Sequence, residues 1–95
     1  MLDHIMPIVQ TLATKRRELG LSQEAVARRA GLKQTYLSKI EHAKVDPRVS
    51  TLQDIARAEG LELLVVPAEL VPAIHAMIGN DRNPEERPLF EADAE

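Results

Sequence analysis

The stretch that most constrains this chain runs from Gln23 to Glu41, QEAVARRAGLKQTYLSKIE, and has the pattern of two short helices joined by a tight turn. Gly31 is the natural turn residue, because glycine adopts a positive φ without steric cost. Ala27 is small, as expected where two helices cross closely at a large angle. Apolar residues recur at helical spacing on both sides of the turn, namely Val26, Ala27 and Ala30 before it and Leu32, Leu37 and Ile40 after it.

The charge of the chain is unevenly distributed. The formal net charge of −3 taken alone argues against a nucleic-acid partner. However, residues 15–48 carry nine basic and four acidic residues, a net charge of +5, whereas residues 80–95 carry two basic and six acidic residues, a net charge of −4. A phosphate backbone next to the helical pair responds to the local field. The charge pattern is therefore compatible with DNA binding by the predicted helical pair.

The helical pair resembles the helix-turn-helix of the lambda-repressor-like (Xre) family, over a span from about Leu12 to Gly60. The resemblance includes LSQEAVA before the turn, SKIE after it, and Pro47 followed by a final apolar helix. It implies a mainly α, five-helix DNA-binding domain whose second motif helix enters the major groove. A generic helical hairpin that binds no nucleic acid is the alternative.

The second motif helix is predicted to begin near Lys33 or Gln34, and its solvent face supplies the predicted base contacts. Glutamine can bond adenine bidentately, threonine can contact a thymine methyl group, and lysine can donate to guanine. The predicted base-contacting residues are Gln34, Thr35, Ser38 and Lys39, and the predicted phosphate-contacting residues are Gln23, Lys33, Tyr36, Lys44 and Arg48. The role of Gln23 is implied by the family, in which the matching residue donates to a phosphate. For each residue alone, an ordinary solvated helix face is the competing interpretation.

The predicted first helix, residues 1–20, carries Arg16 on the apolar face that includes Leu12 and Leu19. An unpaired buried charge is very costly, so Arg16 needs a partner. Glu41 is the expected partner because it shares the inner face of its helix with Leu37, and the family resemblance implies the same pair. The alternative is that both side chains reach water along their apolar stems. Asp3 is the predicted N-cap of this helix, and Ser22 is the predicted N-cap of the next helix.

The segment after the motif departs from the common family pattern. Ala43 stands where the family often has glycine, and alanine at positive φ costs roughly 1 kcal/mol. A slightly different loop path is therefore favoured, which leaves the placement of Lys44 and Arg48 open. Ser50 is predicted to cap the fourth helix in a capping box with Gln53.

Residues 61–67, LELLVVP, have the pattern of one short β-strand stopped by proline. A lone strand leaves its backbone groups unsatisfied, and the chain offers no second candidate. We therefore expect two copies to pair these strands antiparallel in a two-fold dimer. The alternative is an extended segment lying on the helices. Including a fifth helix over residues 69–78, the predicted dimer interface comprises Leu61, Leu63, Leu64, Val65, Val66, Leu70, Ile74, Met77 and Ile78.

The predicted domains are residues 1–79, for DNA binding and dimerisation, and residues 80–95, an acidic disordered tail. Within the tail, Leu89 and Phe90 form either a docking motif for another protein or a pair without a role.

The chain has no cysteine, and its three histidines lie far apart, so we expect no metal and no cofactor. It has no nucleophile–base pair, which argues against an enzyme. It also has no apolar run long enough for a membrane span, and we expect a cytoplasmic protein.

The predicted strand after the fourth helix narrows the resemblance to HipB-type antitoxins. That resemblance implies a homodimeric repressor of a palindromic double-stranded operator, which autoregulates its operon and binds a HipA-like serine/threonine kinase toxin. A stand-alone Xre-type transcriptional regulator and a protein-interaction module without DNA binding remain as alternatives.

Overall fold

The computed structural model describes residues 6–82, which form five α-helices and one 3₁₀ turn. The helices are α1 (Met6–Glu18), α2 (Gln23–Ala30), α3 (Gln34–Glu41), α4 (Val49–Ala58) and α5 (Val71–Arg82), and the 3₁₀ turn (Ala68–Leu70) precedes α5. The chain divides into two compact units between Leu63 and Leu64. The predicted N-cap Asp3 lies outside the described residues.

The first unit packs α1 to α4 around a core of aliphatic side chains. Its buried members come from all four helices: Val9, Leu12, Ala13, Val26, Ala27, Leu37, Ile40, Leu52, Ile55 and Ala56. Each fully buried valine, leucine or isoleucine contributes roughly 1.5–3 kcal/mol relative to an exposed one. Ala27 is 0% exposed, in agreement with the need for a small residue at the helix crossing. Leu19, predicted on the apolar face of the first helix, lies beyond the end of α1 and is exposed.

The termini of α2 follow the sequence prediction. The Ser22 hydroxyl accepts a hydrogen bond from the backbone N–H of Ala25 at 3.0 Å and so caps the helix. Gly31 has a φ of 74°, and its N–H donates to the carbonyls of Ala27 and Arg28 in the last turn of α2. The tight turn between α2 and α3 therefore depends on a residue that tolerates the left-handed region.

The predicted loop path at Ala43 was wrong, because this residue adopts a positive φ of 57°. Its N–H donates to the Ile40 carbonyl at 2.9 Å, and the N–H of Lys44 donates to the Lys39 carbonyl at 2.9 Å. These two bonds close the end of α3 and require a left-handed residue between them. The hydrogen bonds thus hold alanine in a conformation that it otherwise disfavours.

The capping box predicted at Ser50 was also wrong. Helix α4 begins at Val49 and has Arg48 as its N-cap, without a side-chain hydrogen bond. The Leu52 N–H bonds the Arg48 carbonyl at 3.1 Å, so the first turn closes before Ser50 can act as a cap. Ser50 is an exposed residue within that turn.

No strand is assigned among residues 6–82, and residues 61–67 have no regular secondary structure in the single chain. Leu61 and Leu63 are half-buried against the core of the first unit. The sequence predicted both residues only for the dimer interface and did not predict this packing within one chain. By contrast, Leu64 is 75% exposed and Val65 is 99% exposed. Pairing of this segment with a second copy stays a prediction.

The second unit contains the 3₁₀ turn and α5. The Leu70 N–H donates to the Pro67 carbonyl at 3.0 Å, which forms the 3₁₀ turn and delays α5 until Val71. Pro72 is the second residue of α5, where its missing N–H is tolerated. Leu70, Met77 and Ile78 are exposed. Within residues 6–82, no helix is long and apolar enough to cross a membrane.

Candidate nucleic-acid interface

Helix α3 presents the residues that the sequence predicted for base contact. It begins at Gln34 after Lys33 in the N-cap position, and it buries Leu37 and Ile40 in the core. The opposite side of the helix exposes Lys33, Gln34, Thr35 and Lys39, while Ser38 is half-buried. Tyr36 is half-buried and packs against the core, so its ring is anchored within the fold.

An ion pair between Arg16 of α1 and Glu41 of α3 joins the first helix to the motif. The guanidinium donates to both carboxylate oxygens, from Nε at 2.8 Å and from Nη2 at 3.0 Å. Arg16 Nη1 also donates to the Leu21 carbonyl at 2.8 Å. The side chains are 13% and 7% exposed, so neither extends into water. The two-point geometry fixes the direction of the Glu41 carboxylate as well as its position.

The surroundings of this ion pair keep both groups charged. The hydrogen bonds with Glu41 raise the pKa of Arg16, although burial opposes them. Burial would raise the pKa of Glu41, but hydrogen bonds from Arg16 and Gln23 outweigh it, and the pKa lies below its ordinary value. Glu41 is therefore an ionised group that can only accept hydrogen bonds at neutral pH.

A hydrogen-bonded relay extends from this carboxylate to the exposed face of α3. Gln23 Nε2 donates to Glu41 Oε1 at 2.9 Å, and Gln34 Nε2 donates to Gln23 Oε1 at 2.6 Å. Because Glu41 only accepts, Gln23 turns its amino group inward and its carbonyl oxygen outward. Gln34 then donates one N–H to Gln23 and retains a second N–H and its carbonyl oxygen for other partners. The relay thus fixes the orientation of the exposed Gln34 amide.

The sequence did not predict the contacts of Gln23 within this relay. It placed Gln23 at a phosphate, whereas in the single chain both ends of its amide have protein partners. Residues 23 and 34 are joined because α2 and α3 cross at the turn, and no helical period links these two positions. The sequence could have indicated these contacts only through residue chemistry, because two glutamines and one glutamate with complementary hydrogen-bonding groups lie within the two motif helices.

An open cleft lies at the start of α2 beside the relay. It is lined by Arg16, Ser22, Gln23, Glu24 and Gln34. The free backbone N–H groups of a helix N-terminus favour an anion. The other predicted phosphate-contacting residues, Lys44 and Arg48, are exposed in the α3–α4 connection.

The described residues hold no group of three or more histidine, cysteine, aspartate or glutamate side chains placed to bind a metal ion. His42 is the C-cap of α3, and its Nδ1 lies 2.8 Å from the Ser38 carbonyl oxygen.

Comparison with known proteins agrees with this geometry. A family model described as helix-turn-helix matches residues 12–65. An uncharacterized HTH-type transcriptional regulator of Sinorhizobium fredii, y4dL, is 37% identical over 71 residues, which cover 75% of this chain and 36% of that protein. A second regulator from the same organism, y4dJ, is 44% identical over 62 residues, which cover 63% of this chain and 80% of that protein.

A further relative carries a more specific name. Antitoxin HigA1 of Mycobacterium tuberculosis is 41% identical over 59 residues, which cover 62% of this chain and 40% of that protein. The chain therefore spans well under half the length of y4dL and of HigA1, but most of the length of y4dJ.

Proposed function

The chain belongs to the helix-turn-helix family whose model matches it over residues 12–65, and on this premise we propose that it is a dimeric, sequence-specific transcriptional repressor. Both of its relatives y4dL and y4dJ are named as HTH-type transcriptional regulators. The repressor part, the dimer and the individual DNA contacts are our proposal.

The observation that carries the proposal is the relay ending at Gln34. Adenine presents the N7 acceptor and the N6 amino donor in the major groove, and a glutamine amide can bond both. Gln34 retains one N–H for N7 and its carbonyl oxygen for N6 while it still donates to Gln23. Its amide is thus oriented before binding, which reduces the entropy lost on contact.

Other residues complete the proposed interface. Thr35, Ser38 and Lys39 would contact bases from the same helix, and Lys33, Tyr36, Lys44 and Arg48 would contact phosphates. Gln23 would contact a phosphate with its second amide N–H, since the first is bonded to Glu41. Phosphate contacts position the protein, whereas the contacts from α3 supply sequence discrimination.

We propose that the protein dimerises through the segment after α4 and through α5. The exposure of Leu64 and Val65 supports this, because two adjacent large apolar side chains then meet water in the single chain. Antiparallel pairing of residues 61–67 would relate the α3 helices of the two copies by a two-fold axis. The operator would be palindromic, with half-sites about 34 Å apart, or a simple multiple of that distance.

The test compares wild type with Gln34→Ala on an operator obtained by selection from random duplexes. Loss of the bidentate contact should weaken operator binding by roughly 1–3 kcal/mol while leaving random-DNA affinity nearly unchanged. Gln10→Ala is the matched control, because Gln10 is an exposed glutamine on α1. Equal operator-to-random ratios for Gln34→Ala and wild type would remove Gln34 from the base-reading residues.

We also propose an antitoxin role, with autoregulation of the operon and binding of a toxin. The relative named Antitoxin HigA1 supports the general role. The proposal that the partner is a HipA-like serine/threonine kinase rests on the sequence resemblance alone. Affinity purification of the tagged protein at low and high salt, followed by mass spectrometry, tests it. A stoichiometric kinase supports the antitoxin role, whereas DNA without a protein partner supports a stand-alone Xre-type regulator.

The same affinity purification tests the predicted division into a domain over residues 1–79 and a tail over residues 80–95. Leu89 and Phe90 lie outside the described residues. Removal of residues 80–95 should release a co-purifying partner if these residues dock it, and should leave the complex intact if they have no such role.

A further inference from the structure

Glu59 is a buried carboxyl group without hydrogen bonds in the part of the chain that the structure describes. It follows α4 as the C-cap residue and is 2% exposed. Its backbone N–H donates to Ala56, but neither carboxyl oxygen has a hydrogen-bond partner among residues 6–82. Buried polar atoms in folded proteins are nearly always bonded, so this exception requires an explanation.

The charged groups around Glu59 belong to the elements that hold the DNA-reading motif together. Arg16 and Lys15 of α1 attract its carboxylate, and Glu41 of α3 repels it. From α2, Arg29 donates to the backbone carbonyl of the preceding residue, Ala58, at 3.3 Å. Glu59 thus acts electrostatically on an arginine that already pairs with Glu41.

The hydrogen bonds of Arg16 show which of the two carboxyl groups it pairs with. The structure directs them to both oxygens of Glu41 and to the Leu21 carbonyl, and none reaches Glu59. An ionised carboxylate in a buried site without hydrogen bonds is strongly disfavoured, so this site favours the neutral acid form of Glu59. Burial first, and then repulsion by Glu41, raise the pKa of Glu59 to about 7, against the attraction of Arg16 and Lys15.

We propose that Glu59 makes the hydrogen-bonded relay sensitive to pH, because its carboxyl group is buried without a hydrogen-bond partner among residues 6–82, in the unit that holds the Arg16–Glu41 pair. Ionisation creates a second carboxylate that competes with Glu41 for Arg16. If the Arg16–Glu41 pair weakens, the Glu41 carboxylate that accepts from Gln23 is no longer held in one position. Gln23 then no longer fixes the orientation of the Gln34 amide. The DNA part of this inference rests on the proposed function, whereas the stability part does not.

The direction of the pH effect follows from the raised pKa. A glutamate whose pKa is higher in the fold than its ordinary value of 4.5 gives stability that is fully present below pH 4.5. That stability is lost as pH rises from there through about 7, because the folded chain holds a proton that the unfolded chain has released. Above the pKa of the folded form the loss is complete and the curve is flat.

The first arm of the test measures thermal unfolding by circular dichroism from pH 4.5 to 8.5 for wild type, Glu59→Gln and Glu62→Gln. Glutamine has nearly the same shape as protonated glutamate but cannot ionise. Glu62 is the matched control, since it lies three residues away and is exposed. Effects of the histidines are common to all three proteins.

We expect the Tm of the wild type and of Glu62→Gln to fall between pH 4.5 and 7. The Tm of Glu59→Gln should lack the part of this fall that ionisation of Glu59 causes. Parallel curves for wild type and Glu59→Gln overturn the inference, whether or not the protein binds DNA. Side-chain carboxyl NMR of the wild type provides a direct check, because a resonance missing from Glu59→Gln must titrate near pH 7. Titration of that resonance near pH 4.5 also overturns the inference.

The second arm measures the ratio of operator to random-duplex affinity at pH 5.5 and 8. We expect the wild-type ratio to fall at pH 8, by up to roughly tenfold for each unit by which operator binding raises the pKa of Glu59. Glu59→Gln should keep one ratio at both pH values. A pH-independent wild-type ratio overturns the coupling to the relay. Equal operator and random affinity in every variant at both pH values instead refutes the proposed function, while the unfolding curves still judge the role of Glu59.

Discussion

Replacement of Arg16 by methionine is the sharpest perturbation of the link between α1 and the motif. Methionine retains the apolar stem but removes the three hydrogen bonds that run to Glu41 and Leu21. Glu41, 7% exposed at its side chain, would keep only the hydrogen bond from Gln23. Removal of one partner of a buried ion pair typically costs 3–5 kcal/mol, and the 13% exposure of Arg16 places the expected loss near the lower end, at about 3 kcal/mol.

The assay is urea unfolding at pH 7 followed by far-ultraviolet circular dichroism. Arg28→Met is the matched control, because Arg28 forms a 3.6 Å pair with Glu24 in which both side chains are about three-quarters exposed. An exposed pair of this kind contributes about 0.5 kcal/mol or less. If Arg16→Met destabilises the protein no more than Arg28→Met, the reasoning about the buried pair is refuted.

The double variant Arg16→Met with Glu41→Leu separates stability from DNA reading. An apolar pair of similar volume should restore most of the lost free energy, because it avoids desolvation of two charges. Gln23 would nevertheless lose its acceptor, and Gln34 its fixed orientation. The double variant should therefore fold stably and discriminate operator from random DNA poorly. Full discrimination by a stable double variant would contradict the role given to the relay.

Three further predictions concern single positions outside this ion pair. Ala43→Gly should raise the free energy of unfolding by about 1 kcal/mol in urea titrations, because residue 43 has a φ of 57°, and an unchanged midpoint would contradict it. Val65→Pro should leave the single-chain fold intact, because Val65 is 99% exposed, but should shift sedimentation equilibrium toward monomer. Lys33→Ala should weaken operator and random-DNA binding equally and reduce the slope of log affinity against log salt by about one, and a selective loss on the operator would reassign Lys33 to base reading.

The sequence was sufficient to predict the parts of the fold that depend on periodicity and on local turn chemistry. Gly31, Ser22 and the start of α3 follow from glycine conformation, capping and helical spacing, and the structure agrees at each. Arg16 on an apolar face required an acidic partner on physical grounds, and the structure joins it to Glu41. Each of these features depends only on near neighbours in the sequence or on one strong energetic constraint.

The parts that the sequence did not predict depend on how separate elements meet. At Ala43 the local preference of alanine was overridden by two hydrogen bonds that close α3, one across three residues and one across five. The contact between Gln23 and Gln34 depends on the crossing of α2 and α3. The burial of Glu59 was missed because a glutamate after a helix is ordinarily exposed, and only the tertiary packing of the first unit places it inside.

The most direct test of the central claim is in vitro selection of random DNA duplexes by the wild-type protein, sequenced over successive rounds. We expect enrichment of one palindromic sequence, with half-sites about one helical turn or a simple multiple apart, and loss of preference at an adenine when Gln34→Ala is used. A pool that stays random after many rounds, although the protein is folded, would contradict the claim that this chain is a sequence-specific DNA-binding protein.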